Sequence, residues 1–311
     1  MVERKVIGFK PSARKIWWLP ELNIPESMFK KGYSGGTTVY PQDLVDHPTV
    51  LYVGAGSGLE LLQFAYFSRK TAGVIGIDAV EEMIVECKKN LLEAEKKNNW
   101  FKSEFVDLRK GDALYLPLED NCVDVAAQNC LFNIFKIDDL KKALCEMHRV
   151  LKPGGRLVLS DPICNDPMPE HLKEDDHLRA MCITGAISLS EYITLIKETG
   201  FSTIAIRGRW PYRVIDPHHY DVEQAVFIES VEICAQKGAE EQNEANVQVY
   251  TGRKAVYYGP DNSFDIEDVP LLPYNKPVAV SDQEAIKLEA LDNENIHVSP
   301  STFFFQRDKT T

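Results

Sequence analysis

A doubly wound α/β sheet is the fold class this chain predicts, and three observations predict it. The run Val50-Leu51-Tyr52-Val53 is apolar without alternation, as a strand buried on both faces must be. Gly54-Ala55-Gly56-Ser57-Gly58 follows at once, and then a helical stretch from Glu60 to Tyr66. A second apolar run, Val74-Ile75-Gly76-Ile77, ends on Asp78. Strand, glycine turn, helix, strand and acid in that order make one mononucleotide-binding unit of a parallel sheet. The glycines let the backbone turn sharply and approach a ligand. The helix behind them offers free N-terminal amides, and Asp78 can accept from two ribose hydroxyls.

The remaining elements follow the same alternation. Lys110-Gly111-Asp112-Ala113 comes after a third strand, and Cys122 to Asn129 reads as the fourth. Asp139 to Leu151 reads as a helix, with Leu140, Ala143, Leu144, Met147 and Val150 on one face. The stretch from Leu151 through Lys152-Pro153-Gly154-Gly155 to Asp161 reads as a helix end, a tight turn and a fifth strand. Ser188 with Glu191 three residues on marks a helix start, and Gly200 marks its end. Phe201 to Arg209 reads as a strand, Cys234 as part of a helix with Val231, and Gln248 to Tyr258 as a strand. Four segments result: an N-terminal extension at 1–45, the cofactor fold at 46–163, an α+β substrate-binding unit at 164–234 and a C-terminal extension at 235–311.

Composition narrows the partners. Apolar residues make up 44% of 311, enough for a substantial core. A net charge of −12 argues against a nucleic acid or an anionic membrane. No run of about 18 apolar residues predicts a transmembrane helix, and the basic N-terminus lacks the apolar stretch of a secretory signal. Seven cysteines without paired spacing fit free thiols in a reducing, cytoplasmic location. A monomer is the expected state.

The glycine turn alone fits either NAD or S-adenosylmethionine. The dinucleotide form carries a third glycine three residues after the second, where a helix meets a pyrophosphate; that place, 59, is Leu. Gly58 instead gives the G-x-G-x-G spacing suited to S-adenosylmethionine, which has no phosphate. Gly54, Gly56, Gly58, Asp78, Asp112, Ala113 and Asn129 are the candidate cofactor residues. Asp112 suits an adenine amino group, and Met83 is a further candidate contact on the helix after Asp78. Together these segments resemble the class I methyltransferase series. Tyr52 departs from it, since many such enzymes carry an acid there.

Longer strings resemble a narrower family, the arsenic(III) S-adenosylmethionine methyltransferases, in the branch linked to arsenosugar synthesis. They are Tyr33 with Gly36-Thr37-Thr38-Val39, His47 to Gly54, Gln63 to Arg69, Val123 to Phe135, Leu178-Arg179-Ala180-Met181-Cys182, Tyr250 to Ala255 and Pro277 to Val280. The resemblance implies transfer of a methyl group to a trivalent arsenical held by cysteine thiolates, with a thiol reductant such as glutathione or thioredoxin. Trivalent arsenic is a soft centre that prefers such ligands, and its lone pair is the nucleophile, so no general base is needed. Cys130 and Cys182 match two of the family's arsenic-binding cysteines.

The third family cysteine is missing, because the chain reads Tyr33-Ser34-Gly35-Gly36, and Lys10-Pro11-Ser12 and the C-terminus also lack the branch's cysteines. Monomethylarsonous acid, which needs two thiolates, is therefore favoured over arsenite as substrate. Cys164, after the fifth strand, is the candidate substitute; a small buried hydrophobe is its other reading. Cys87, Cys122, Cys145 and Cys234 read as packing residues, His148 as structural, and His218-His219 as a solvated turn rather than a metal site. Tyr33 and Thr38 are candidates to close over the cofactor. Two other functions stay open: methyl transfer to a different small acceptor, and metalloid binding without catalysis.

Overall fold

The computed structural model describes residues 7–8, 19–30, 36–166, 168–239 and 247–302. Its centre is a nine-stranded mixed sheet. The strands are β1 (Ile7–Gly8), β2 (Val50–Val53), β3 (Val74–Asp78), β4 (Val106–Lys110), β5 (Val123–Asn129), β6 (Leu151–Ile163), β7 (Phe201–Ile215), β8 (Val226–Lys237) and β9 (Gln248–Tyr250). Their order is β1-β7-β8-β6-β5-β2-β3-β4, with β9 also on β7. The run from β6 to β4 is parallel, while β8 pairs antiparallel with both β6 and β7. The helices are α1 (Glu26–Lys30), α2 (Leu59–Ser68), α3 (Glu81–Lys97), α4 (Ile137–Val150), α5 (Glu170–Lys173), α6 (Asp176–Ala180), α7 (Leu189–Glu198), α8 (Pro217–Tyr220) and α9 (Asp282–Ala290).

The parallel half forms for the reason its apolar runs suggest. All four residues of β2 are buried, because helices cover both faces of the sheet. Helix α4 sets Leu140, Ala143, Leu144, Met147 and Val150 against one of those faces. Truncating one of these leucines to Ala would cost about 2–5 kcal/mol. The Ser188 hydroxyl accepts from the Glu191 amide at 3.2 Å and starts α7, and Gly200, at φ +92°, follows its end.

Several expectations are corrected. Lys152-Pro153-Gly154-Gly155 does not separate a helix from a strand but lies within β6. Val123 faces Leu151 and Val125 already faces Arg156, so the residues between loop out as a bulge, with Gly154 at φ +79°. Cys234 lies in β8, not a helix, between Val158 of β6 and Ala205 of β7; every residue from Ser230 to Ala235 is buried, so the stretch lacks the alternation that would mark a strand. Strand β7 runs on to Ile215, past three register shifts, the last of which carries Pro211. The strand expected over 248–258 breaks at Thr251-Gly252-Arg253, where Gly252 has φ +87°. Cys145 is exposed, off the apolar stripe of α4, and Cys122 is half-buried before β5.

Beyond β9 the chain forms β10 (Lys254–Tyr257), β11 (Ser263–Phe264), β12 (Leu272–Pro273), β13 (Val278–Ala279) and β14 (Ile296–Val298). Strands β13, β10 and β14 make a small sheet against α9, whose start is a capping box between Ser281 and Glu284.

Candidate active site

The ends of β2 to β6 bring most of the predicted residues to one edge of the sheet. Gly54, Gly56 and Gly58 all adopt left-handed φ, at +83°, +51° and +85°. A Cβ on Gly58 would lie 2.9 Å from the Cys87 sulfur, so the buried Cys87 on α3 packs beneath the turn. At Gly56 a Cβ would meet nothing closer than 3.7 Å, so the turn leaves open space there. The Asp78 carboxylate comes to the same turn: one oxygen accepts from the Gly56 amide at 3.1 Å and the other from Val80 at 3.0 Å. Asp112 is exposed just past β4 and Ala113 beside it is buried. Met83 is half-buried in the first turn of α3. Tyr33 lies outside the described residues.

Asn129 ends β5. Its Nδ2 donates to the Gly36 carbonyl at 3.0 Å and to the Glu60 carboxylate at 3.2 Å. Its Oδ1 is buried without a protein partner. Glu60 also accepts from the amide and hydroxyl of Thr38 and from the Tyr52 hydroxyl. The tyrosine standing where an acid was expected thus meets an acid supplied by α2.

Cys130 follows Asn129 at φ +58°, and Cys182 follows α6 at φ +59°. Neither is glycine, and holding such residues left-handed costs about 1–3 kcal/mol each, a strain that collects at functional sites. At Cys182 the cause is local. Asp175 caps α6 by accepting from Leu178, and the helix closes with Cys182 N–H donating to Arg179 at 2.9 Å.

The two cysteines meet. Cys182 Sγ donates to the Cys130 carbonyl at 3.2 Å, and Cys130 Sγ lies 3.6 Å from the Tyr212 hydroxyl. Both residues are 7% exposed. Neither is in a disulfide. They titrate as a pair. The Cys130 thiol, which can donate to Cys182, lowers the pKa of Cys182, helped by the Asn133 side chain and Arg213 and opposed by burial. Cys130 is correspondingly raised, by Cys182 and by burial. The first proton lost therefore leaves Cys182. Arg213 also donates to the Met181 carbonyl at 2.9 Å, so β7 supports both cysteines through neighbouring residues.

Cys164 shares an apolar cluster with the pair. It nevertheless does not complete a three-ligand group, and no three His, Cys, Asp or Glu side chains form one among the described residues. Its sulfur donates to the Asp166 carbonyl at 3.1 Å, and burial pushes the thiol up to about 11. It lines a cavity of about 440 Å³ with Asp166, Lys173, Arg179, Thr184 and Glu191.

Sequence reasoning missed the groups behind the pair: Gln128, Asn133, Asp161, Tyr192 and Tyr212. Asp161 is fully buried, and desolvation lifts its pKa to about 7 despite hydrogen bonds from Tyr192 and Gln128. The one available signal was a carboxyl two residues past the apolar run Leu157-Val158-Leu159.

A family model described as a methyltransferase domain matches residues 44–200. The chain is 29% identical over 158 residues to the arsenite methyltransferase of Halobacterium salinarum, covering 51% of this chain and 38% of that protein. It is 28% identical over 209 residues to that of Aquipseudomonas alcaligenes (66% and 58%) and 29% over 182 residues to that of Mus musculus (58% and 47%). The chain thus spans about half the length of the curated relatives it matches. The X-ray structure of an arsenic(III) S-adenosylmethionine methyltransferase from Chlamydomonas reinhardtii superposes with a TM-score of 0.61 at 24% identity, over 91% of this chain and 95% of that one, which is a likeness of fold. Among the described residues no helix is long and apolar enough to cross a membrane.

Proposed function

The chain belongs to the methyltransferase-domain family and carries the class I methyltransferase fold, and from that premise we propose that it is an S-adenosylmethionine-dependent methyltransferase of trivalent arsenicals held by Cys130 and Cys182. The observation that carries this reading is the meeting of two left-handed cysteines, sulfur to backbone, one residue past the strand end that neighbours the glycine turn.

The residues fit the cofactor. The open space at Gly56, the Asp78 carboxylate against the turn and the unpartnered Asn129 Oδ1 suit a ligand rich in donors and free of phosphate. Asp78 would hold the ribose hydroxyls, Asp112 and Ala113 the adenine, and Asn129 the methionine side. When bound, S-adenosylmethionine supplies a methyl carbon made electrophilic by its sulfonium. No basic cluster is needed at such a site, in keeping with the net charge of −12.

The cysteines do the rest. With monomethylarsonous acid two As–S bonds form and two As–O bonds break, and each thiol proton leaves with a hydroxide as water. The easier ionisation of Cys182 makes it the first sulfur to attack. Two thiolates and one methyl group satisfy arsenic and leave its lone pair free. Arsenite would keep one hydroxyl where a third thiolate is preferred, because Cys164 is not grouped with the pair. Burial of both sulfurs restricts the approach, and alignment is where much of the rate in such a transfer arises.

The test is transfer of labelled methyl from S-adenosylmethionine, with glutathione present, to arsenite and to monomethylarsonous acid in parallel, with separation of the arsenic species. The expected result is methylation of monomethylarsonous acid, lost in Cys130→Ser and in Cys182→Ser. Equal activity on arsenite would require a third ligand. No activity on either, with S-adenosylmethionine bound, would move the assignment to another small acceptor.

A further inference from the structure

The turn that presents Cys130 is held from beneath by one side chain that the proposed chemistry does not use. Gln128, two residues earlier on β5, is completely buried. Its Oε1 accepts from the Leu131 amide at 3.0 Å and the Phe132 amide at 3.4 Å, the two residues that follow Cys130. Its Nε2 donates to Asp161 Oδ2 at 2.6 Å, and Tyr192 Oη donates to the same oxygen at 2.7 Å. On the other side the Cys130 amide donates to the Ser160 carbonyl at 2.7 Å.

We propose that Gln128, locked by Asp161, is the positioning residue that fixes the left-handed Cys130 turn and so sets the separation at which Cys130 and Cys182 take one arsenic atom. The inference rests on the reading of that pair as the arsenical site. Backbone amides can only donate, so the side chain facing Leu131 and Phe132 must present an acceptor. The Asp161 oxygen on that side already accepts from Tyr192, and once the carboxyl is ionised it can only accept, so the side chain facing it must present a donor. A carboxamide does both at once and has one orientation that satisfies both neighbours. The amide therefore ties β5, β6 and α7 to a backbone conformation that a non-glycine residue rarely adopts. Without it, the downstream amides, one of them on the buried Phe132, would lose their acceptor.

The same logic supplies the test. Gln128→Glu sets a carboxylate against Asp161 and, in assays run well above pH 7 where both groups are ionised, breaks the arrangement. Gln128→Glu combined with Asp161→Asn reverses the polarity and restores the bonds of residue 128. The carboxylate on β5 then accepts from the turn and from the carboxamide nitrogen on β6, which takes the place of Asp161 Oδ2 and can give its second hydrogen to the Tyr192 oxygen. The probe is phenylarsine oxide, a monosubstituted trivalent arsenical that bridges two thiols, with Cys130→Ser as the reference for loss of the pair. Gln128→Glu is expected to weaken capture by at least about tenfold, as a misplacement near 1 Å does, while S-adenosylmethionine affinity stays within about twofold. The double swap is expected to restore capture. In the wild-type protein the Leu131 and Phe132 amides should be strongly protected from hydrogen exchange, a readout that needs no variant. Wild-type capture with unprotected amides, with a Gln128→Glu variant that captures equally well, or with a folded double swap that does not recover, overturns the positioning role and leaves the arsenical site standing. A wild-type protein that captures no phenylarsine oxide overturns the site, and the inference with it.

Discussion

Asp161 touches no solvent, and its burial has a thermodynamic consequence. Its ordinary pKa is 3.8, and desolvation raises it to about 7 in the folded chain. Between those values the native state holds a proton that the unfolded state has released. Stability therefore falls as pH rises through that window, by on the order of 4 kcal/mol in full. Asp161→Asn cannot ionise. Whatever constant cost it carries in altered hydrogen bonding, it lacks this slope. Thermal unfolding of both proteins from pH 4 to pH 8 should show the variant gaining on the wild type as pH rises. Parallel curves would mean that Asp161 is ionised throughout. This residue also shows why only part of the site could be read from the sequence. Cys130 and Cys182 announce themselves by residue type and context. Gln128 and Asp161 are ordinary in type, and their meaning lies in partners on neighbouring strands, which no local pattern reports.

At the scale of elements, the parallel strands were readable as short unbroken apolar runs bounded by turn residues, and α4 by its helical period. The elements read wrongly are those whose surroundings override the local signal. The Pro153-Gly154-Gly155 run spells a turn, yet Leu151 before it already pairs with Val123, so the run falls inside β6 as a bulge. Around Cys234 the residues Val231, Ile233 and Ala235 are apolar with Glu232 among them, and so short a pattern does not separate a buried strand from a buried helix. The glycine turn after β2 is the reverse case, where sequence and structure agree and the physics can be tested. Gly58→Ala places a Cβ on a backbone at φ +85° and within 2.9 Å of the Cys87 sulfur. The expected cost is about 1–3 kcal/mol, which lowers the unfolding midpoint by several degrees in a chain of this size. Adding Cys87→Ala should recover only part of it, because the clash is relieved and the backbone strain is not. Full recovery would mean that packing alone requires the glycine.

At the scale of the molecule, two buried carboxylates join segments far apart in the chain. Glu232 on β8 accepts from the Thr37 amide at 2.7 Å, and Glu60 on α2 accepts from Thr38, Tyr52 and Asn129. The Gly36–Val39 segment is thereby fastened across the sheet edge between the glycine turn and the end of β5. A side chain at Gly36 would strike Glu232 at 2.6 Å and Ser160 at 2.7 Å, so the segment sits as close as backbone allows. The string Gly36-Thr37-Thr38-Val39 was visible in the sequence, but its anchors, some 20 and 195 residues away, were not. The short strands of the C-terminal extension were hidden for a related reason: two to four residues are too few to carry a period. Every group facing Glu60 in these bonds donates, so an acceptor-only side chain is required. Glu60→Gln turns one acceptor into a donor and leaves one of these groups unmatched, at a cost of about 1–3 kcal/mol. Because Glu60 also orients Asn129, the change should weaken S-adenosylmethionine binding by more than the about twofold change allowed for Gln128→Glu, with the far-ultraviolet circular dichroism unchanged. Isothermal titration of the folded variant gives the answer. An unaltered Kd would show that the segment from Gly36 to Val39 is fastened for the stability of the sheet edge and does not shape the cofactor crevice.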